Sequence, residues 1–383
     1  MSGVRRSIVL ATGGTGGHVL PAQSLARALA TRGFAPVLFT DRRGLAMKEK
    51  GDFIDAVAIP AATPSAGGVF GRALGMAETL RGTLISWRLL GRIRPGAVVG
   101  FGGYASVPAV LAASLRRLPT IIHEQNALLG RANAFLAPRV DCIATSFTNT
   151  RGLSVADRDK ATVTGNPVRA AIAALGSTPY PAPGPDGPFT VLVIGGSQGA
   201  HIFSTVVPAA IRLLPETLRD RIRLSQQCRK EDLDSAATAY RGMKLAVELA
   251  PYFDDMAERL AKAQLVIARA GASTVAELVA AGRPALLVPY PHAADDHQTD
   301  NANALDEAGA AWLMPQSAFT PEALAARLEA FMGLPLTLEK AAASARRLDR
   351  GDAAAHLADL VTSVALADGG GSKTATIMRE IAA

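Results

Sequence analysis

The chain has 383 residues, 49% of them hydrophobic, and a formal net charge of +7. That length suits two domains of ordinary size, and that apolar content argues against long disorder and for buried parallel sheets. The positive balance favours anionic partners, but only 5% of residues are aromatic and no Lys/Arg tract is interleaved with rings, so nucleic acid is not an expected partner. Cys142 and Cys228 are the only cysteines. They are too few for a disulfide framework or a Cys-rich zinc site, which points to a reducing cytoplasm. No uninterrupted apolar run approaches the roughly 20 residues of a membrane span. Glycines break the first apolar run too early for a signal peptide.

Short β runs alternate with helical patterns, which predicts an α/β fold with mainly parallel sheets. In chain order, strands are expected at 8–11, 36–39, 56–59, 97–99, 120–123 and 141–144. A second series follows at 190–194, 223–226, 244–249, 265–268 and 285–288. Helices are expected between them, for example at 22–31 and 274–281, and from about 320 to 366. The Pro/Gly-rich stretch 178–188 cannot form a regular element and marks a linker or surface loop. The expected organisation is a first domain over 1–165, a second over 166–345, a C-terminal helix over 346–366, and a mobile tail over 367–383.

Two glycine turns share the pattern Gly-Gly-[Thr/Ser]-x-Gly, each after an apolar strand: Gly13-Gly14-Thr15-Gly16-Gly17-His18 and Gly195-Gly196-Ser197-Gln198-Gly199-Ala200. Such a turn lets a ligand approach the backbone, and the helix behind it offers N–H groups to an anion. No P-loop signature occurs, neither turn has the full dinucleotide fingerprint, and Asp41 is the nearest acid for a ribose. Gly100-Phe101-Gly102-Gly103-Tyr104-Ala105-Ser106 and His123-Glu124-Gln125-Asn126 also close apolar runs. Arg169, in Thr164–Arg169, reads as a phosphate contact or as a surface arginine.

Arg269-Ala270-Gly271-Ala272-Ser273-Thr274 opens a helix whose positive end suits a diphosphate. Thr274-x-x-Glu277 also matches a capping box, so Glu277 either serves the helix start or grips ribose hydroxyls. Asp295-Asp296-His297-Gln298 lacks the ligand set of a metal site. A polar loop offering Gln298 and Asn301 to a sugar fits better. Between Phe70 and Arg94, the basic positions Arg81, Arg88 and Arg92 adjoin an apolar face with Leu80, Leu84 and Trp87, and Leu74 upstream. This is either a solvated basic face or a stretch that rests on an anionic membrane.

Taken together, eight stretches resemble the bacterial family 28 glycosyltransferases that add N-acetylglucosamine to the lipid-linked muramyl-pentapeptide of peptidoglycan synthesis. They are Gly13–His18, Gly100–Ser106, His123–Asn126, Thr164–Arg169, Gly195–Ala200, Phe253-Asp254-Asp255-Met256, Arg269–Glu277 and Asp295–Asn301, in the family's order. The resemblance implies a GT-B fold: two Rossmann-like domains with parallel sheets facing a central cleft, and a C-terminal helix returning to the first domain. It implies UDP-N-acetylglucosamine as donor and lipid I, the undecaprenyl-diphosphate intermediate, as acceptor. Transfer inverts the anomeric centre and gives lipid II. No cofactor is expected, and the expected location is peripheral, at the cytoplasmic face of the inner membrane.

Carried over by motif, the backbone of Phe253 meets uracil. Ala272, Ser273 and Thr274 hold the diphosphate, and Glu277 the ribose. Arg169 and Ser197 lie at the donor, with Gln298 and His297 on the sugar. Thr15, Gly16, Gly17 and Asn126 approach sugar and acceptor. Two departures stand out: Asp296-His297-Gln298 where some members carry Arg-Gln-Gln, and Gln227-Cys228-Arg229 where many have Gln-Thr-Gly. The attacking hydroxyl loses a proton, so a base helps. His18 is the first candidate from its place after the glycine turn; Glu124 or His123 is the second. The alternatives are a GT-B transferase with another lipid acceptor, such as diacylglycerol, and a non-catalytic nucleotide-sugar-binding module.

Overall fold

The structure, a computed structural model, describes residues 6–14, 16–46, 54–62, 68–196 and 199–367, with backbone alone at 68–70. Thr15, Ser197, the Phe70 side chain and the expected tail from 368 onward lie outside the described residues. The chain divides into two compact units, Met1–Arg169 with Asp352–Ala383, and Ala170–Gly351.

The first unit is built on a seven-stranded sheet: β1 (Ser7–Thr12), β2 (Ala35–Thr40), β3 (Asp55–Ala58), β4 (Ala97–Gly100), β5 (Thr120–Glu124), β6 (Cys142–Thr145) and β7 (Ala161–Val163), in the order β3-β2-β1-β4-β5-β6-β7. Every neighbouring pair is parallel. Val9 of β1 sits between Val37 and Val98, a central strand with side chains buried on both faces. That is why such strands read as unbroken apolar runs rather than alternating ones.

The second unit has a six-stranded sheet: β8 (Phe189–Ile194), β9 (Ile222–Gln227), β10 (Ala246–Ala250), β11 (Leu265–Ala268), β12 (Ala285–Leu287) and β13 (Ala311–Leu313), in the order β10-β9-β8-β11-β12-β13, again all parallel. Every expected strand is present. The three-residue edge strands β7 and β13 were not expected; Ala161-Thr162-Val163 and Ala311-Trp312-Leu313 are too short to carry a periodic signal. No regular element lies between Ser177 and Phe189, as the prolines there require.

The helix Ala353–Leu366 belongs to the first unit. Its Leu357, Leu360, Val361 and Val364 share a core with Ile8, Leu10, Leu25 and Leu29. Each such buried side chain contributes roughly 1.5–3 kcal/mol. Asp352 caps the helix through the Ala355 N–H at 2.9 Å. Arg32 ties it to the helix Gly16–Thr31 by a 2.7 Å contact with Asp359. Arg346–Leu348, expected in this last helix, instead end the helix Pro335–Leu348 of the second unit.

In each sheet the strand order reverses beside the first strand, between β1 and β4 and between β8 and β11. Ligands of open α/β sheets bind at the carboxyl ends of the strands at such a point. The turns after β1, β4, β8 and β11 are the glycine-containing motifs.

Candidate active site

In the first unit, β1 runs into Gly13 and β4 into Gly102-Gly103, and His18 lies against both turns. Gly102 and Gly103 have φ of +78° and +70°, which favour glycine. A Cβ built at Gly102 would lie 3.5 Å from the His18 ring, and one at Gly103 3.6 Å away. The half-buried imidazole therefore rests on bare backbone at the switch point. Gly16 and Gly17 begin the same helix as His18.

Glu124 and His123 are placed differently. His123 is fully buried. Its Nε2 lies 2.9 Å from the Gly165 carbonyl, and Gln125 Nε2 lies 3.0 Å from its Nδ1. Gln125 Nε2 also donates to the Phe101 carbonyl at 3.0 Å, so it is the amide nitrogen and donates to His123 too. His123 is then neutral, protonated on Nε2. Burial pulls its pKa down to about 4, and nearby His18 adds to the effect, against the raising influence of the Gly165 hydrogen bond.

Glu124 is 2% exposed. Its Oε1 accepts from the Asn126 N–H at 3.0 Å and from Asn126 Nδ2 at 3.1 Å. Its Oε2 accepts from the Gly130 N–H at 2.9 Å and from Asn133 Nδ2 at 2.8 Å. Both oxygens are occupied in shaping the loop that carries Asn126. Of the three base candidates, His18 is the one resting at the glycine turns. Asp41 is engaged locally: its Oδ1 accepts the Gly44 N–H at 2.8 Å and its Oδ2 pairs with Arg43.

In the second unit, β11 ends at Ala268 and the helix Ala272–Ala281 starts at once, with Gly271 at its N-cap. This corrects the capping-box reading. Thr274 is the third residue of the helix, so Thr274 and Glu277 do not form its cap. Ser273 Oγ is buried there with no hydrogen-bond partner. The loop before the helix is pinned from two sides. Arg269 donates to the Val288 and Pro289 carbonyls at 3.0 Å each and to Gln316 Oε1 at 2.6 Å. Buried Asn301 donates to the Ala270 carbonyl at 3.0 Å. Arg283, fully buried, holds the far end of the helix through the Ala281 carbonyl at 2.6 Å and the neighbouring helix through Leu260 at 2.6 Å. Burial draws its pKa down to about 10. None of these pinning roles was expected from the sequence.

The turn after β8 needs Gly195, because a Cβ there would come within 2.4 Å of the Ala200 nitrogen. Gln227 gives the unassigned Gln227-Cys228-Arg229 loop a role. Its Oε1 accepts the Gly195 N–H at 3.1 Å, and its Nε2 donates to the Pro251 carbonyl at 3.2 Å. It thus links the glycine turn to the Phe253 segment. The Phe253 ring is buried, with the Arg259 guanidinium 3.9 Å from its centroid. Arg259 is held by Glu248 at 2.6 Å and Asp255 at 2.7 Å. The ring anchors the segment, and the backbone of Phe253 remains as its polar edge.

Asp295 and Asp296 both have left-handed backbones, φ +53° and +54°, just before the helix His297–Glu307. Two adjacent non-glycine residues in this region store strain of the kind found at ligand sites. Gln298 Oε1 accepts the Tyr290 N–H at 2.9 Å, and His297 Nδ1 lies 2.7 Å from the Ala294 carbonyl. The sequence-selected residues thus follow the carboxyl ends of strands, His18 after β1 and Asn126 after β5 in the first unit, and Ser273 and Glu277 after β11 and Gln298 after β12 in the second. Arg169 ends the first unit.

The chain matches the glycosyltransferase family 28 N-terminal domain over residues 8–145 and the C-terminal domain over residues 190–358. It is 52% identical over 372 residues to the Rhodospirillum centenum UDP-N-acetylglucosamine–N-acetylmuramyl-(pentapeptide) pyrophosphoryl-undecaprenol N-acetylglucosamine transferase, covering 97% of this chain and 98% of that protein. It resembles the crystal structure of Acinetobacter baumannii MurG with a TM-score of 0.76 and 30% identity, over 94% of this chain and 99% of that one. The kitacinnamycin glycosyltransferase, 16% identical with a TM-score of 0.69 over 94% of this chain and 99% of that one, shares the fold. With both domains matched and half of its residues identical to such a relative across nearly its whole length, the chain belongs to glycosyltransferase family 28.

Proposed function

We propose that this protein transfers N-acetylglucosamine from UDP-N-acetylglucosamine to the C4 hydroxyl of the muramyl residue of lipid I, undecaprenyl-diphospho-muramyl-pentapeptide, with inversion, giving lipid II. The observation that carries the reading is the helix start behind Gly271, an N-cap without a side-chain cap, where Ser273 Oγ is buried without a partner. A buried hydroxyl and a row of N–H groups at a helix start call for an anion with several acceptor oxygens.

In this reading Ala272, Ser273 and Thr274 hold the diphosphate, Glu277 the ribose, and the Phe253 backbone the uracil. Arg169 and Ser197 complete the donor site, with His297 and Gln298 on the sugar. Thr15, Gly16, Gly17 and Asn126 meet the sugar and the acceptor. The C4 hydroxyl oxygen attacks the anomeric carbon while the bond from that carbon to the diphosphate oxygen breaks. A His18 ring nitrogen takes the hydroxyl proton, and UDP leaves with the bonding pair. Charge that develops on the departing diphosphate falls on the fixed N–H dipoles of the helix start. Glu124 acts as a positioning group, holding Asn126.

We also propose that the first unit rests on an anionic membrane, at the cytoplasmic face of the inner membrane. On the helix Gly68–Ile93, Met76, Leu80, Leu84 and Trp87 are exposed, Leu80 by 60% and Trp87 by 46%. At 100° per residue they lie within an arc of about 80°. Exposed Arg81, Arg88 and Arg92 lie together beside one edge of that arc. No helix among the described residues is long and apolar enough to cross a membrane. The test of the activity is direct: purified protein with labelled UDP-N-acetylglucosamine and a soluble lipid I analogue should yield labelled disaccharide-lipid, and absence of product overturns the reading.

A further inference from the structure

A cavity of about 450 Å³ opens in the first unit, lined among others by Thr145, Thr148, Asn149, Thr150, Arg151 and Arg158. Its volume is that of a small-molecule site. Hydroxyls, an amide and two guanidiniums line it, with Leu153, Ala161 and Val163 as apolar wall and no carboxylate. We propose that this cavity is the subsite for the carboxylate-bearing peptide of the acceptor, an inference that rests on the transfer reaction proposed above.

The position supports this. Thr145 and Val163 are the last residues of β6 and β7. They lie at the same carboxyl edge of the sheet as Glu124, the last residue of β5, which pairs directly with Thr145 and is two strands from Val163. The Arg151 segment is knit directly to the loop after Asn126. Leu128 pairs with Arg151 in a parallel bridge. The Arg151 N–H donates to the Ala127 carbonyl at 2.7 Å, and the Leu129 N–H donates to the Arg151 carbonyl at 2.8 Å. An acceptor whose sugar meets Asn126 therefore has this cavity one loop away.

The neutral part of the lining points to a peptide, and the experiment below separates peptide from diphosphate. Diphosphates are met by backbone N–H groups in glycine turns and helix starts. This cavity has no glycine in its lining. Its forked guanidiniums match an anionic group, carboxylate or phosphate, in two parallel hydrogen bonds. Threonine hydroxyls and an asparagine amide suit the amides of a peptide.

The test is the full-length double variant Arg151→Gln, Arg158→Gln. Both side chains are exposed, so the fold should survive, and a melting curve checks that. Initial rates are compared with two soluble lipid I analogues: one bearing the pentapeptide, the other with the muramyl carboxyl capped as a methylamide. With the pentapeptide acceptor, KM should rise at least about tenfold, as for lost charge-assisted hydrogen bonds, while kcat and the donor KM stay unchanged. With the methylamide acceptor, variant and wild type should agree. An equal KM rise with both acceptors assigns the arginines to the diphosphate and overturns the proposal, as does an unchanged KM with both. Free muramyl pentapeptide, lacking lipid and diphosphate, is also titrated calorimetrically; wild type should bind it and the variant should not. If wild type forms no product, the transfer reading fails, and the titration alone then decides whether the cavity takes the peptide.

Discussion

Asn133 Nδ2 donates to Glu124 Oε2 at 2.8 Å, and the carboxylate that receives it is almost wholly buried. The Gly130 N–H shares that oxygen. Glu124→Gln turns one acceptor oxygen into an NH2 group, which must face donors at one end of the network. A buried donor left unsatisfied costs about 1–3 kcal/mol. The variant should therefore lose about 1–3 kcal/mol of stability in chemical denaturation. His18→Gln should behave in the opposite way. It should retain stability and donor affinity yet lose turnover by about 10²–10⁴-fold. A Glu124→Gln protein as stable as wild type but inactive would instead return the base to Glu124.

His123 makes the first unit sensitive to acid. Burial lowers its pKa from 6.5 to about 4. The unfolded chain therefore takes the proton first as pH falls. This contribution is fully present above about pH 6.5 and is lost as pH drops toward 4, amounting to about 3 kcal/mol across the window. His123→Gln removes the titration. Urea midpoints of wild type and variant, taken at intervals between those limits, should give a shallower pH slope for the variant. Identical slopes would show that the His123 ring does not carry the effect.

Glu277→Ala separates ribose binding from helix capping. The helix begins at Ala272, so Glu277 sits in its second turn rather than in a cap. UDP affinity should fall by about 1.5–3 kcal/mol, the scale of hydrogen bonds to a charged group. Stability should change by less than about 1 kcal/mol, within the range of ordinary substitutions away from caps and cores. Titration with UDP and a melting curve check both halves. A lower melting temperature with unchanged affinity would give Glu277 a structural role alone.

Local signals made most of this architecture legible. Apolar runs such as Ile8–Ala11 reveal buried parallel strands because both faces of the strand are covered. Glycine turns reveal themselves because a Cβ at a position like Gly195 cannot fit. What stayed hidden depends on partners distant in sequence. Gln227 meets Gly195 thirty-two residues away, and Arg269 meets Gln316 forty-seven away. Nothing near either residue announces the contact. The capping-box motif misled for a related reason: the β11-to-helix turn at Gly271 sets the helix start, and a Thr-x-x-Glu pattern inside the helix has no donors left to cap.

The membrane surface yields a prediction in two parts, because its apolar and basic components act differently. Burial of Leu80, Leu84 and Trp87 in the headgroup region is insensitive to salt. Arg81, Arg88 and Arg92 each contribute roughly 1 kcal/mol near an anionic surface, screened within a Debye length of about 8 Å at physiological salt. Arg81 is also 3.7 Å from Glu78, an exposed pair of little intrinsic worth that lowers its share. Wild type should float with vesicles containing anionic lipid, and less so as salt rises. The triple Arg→Gln variant should bind more weakly and lose most of its salt dependence. Leu80→Ser with Leu84→Ser should keep the salt dependence and weaken binding at every salt concentration. Neither variant touches the donor unit, so UDP titration should be unchanged in both. Flotation that is the same for all three proteins would remove this helix from the membrane contact.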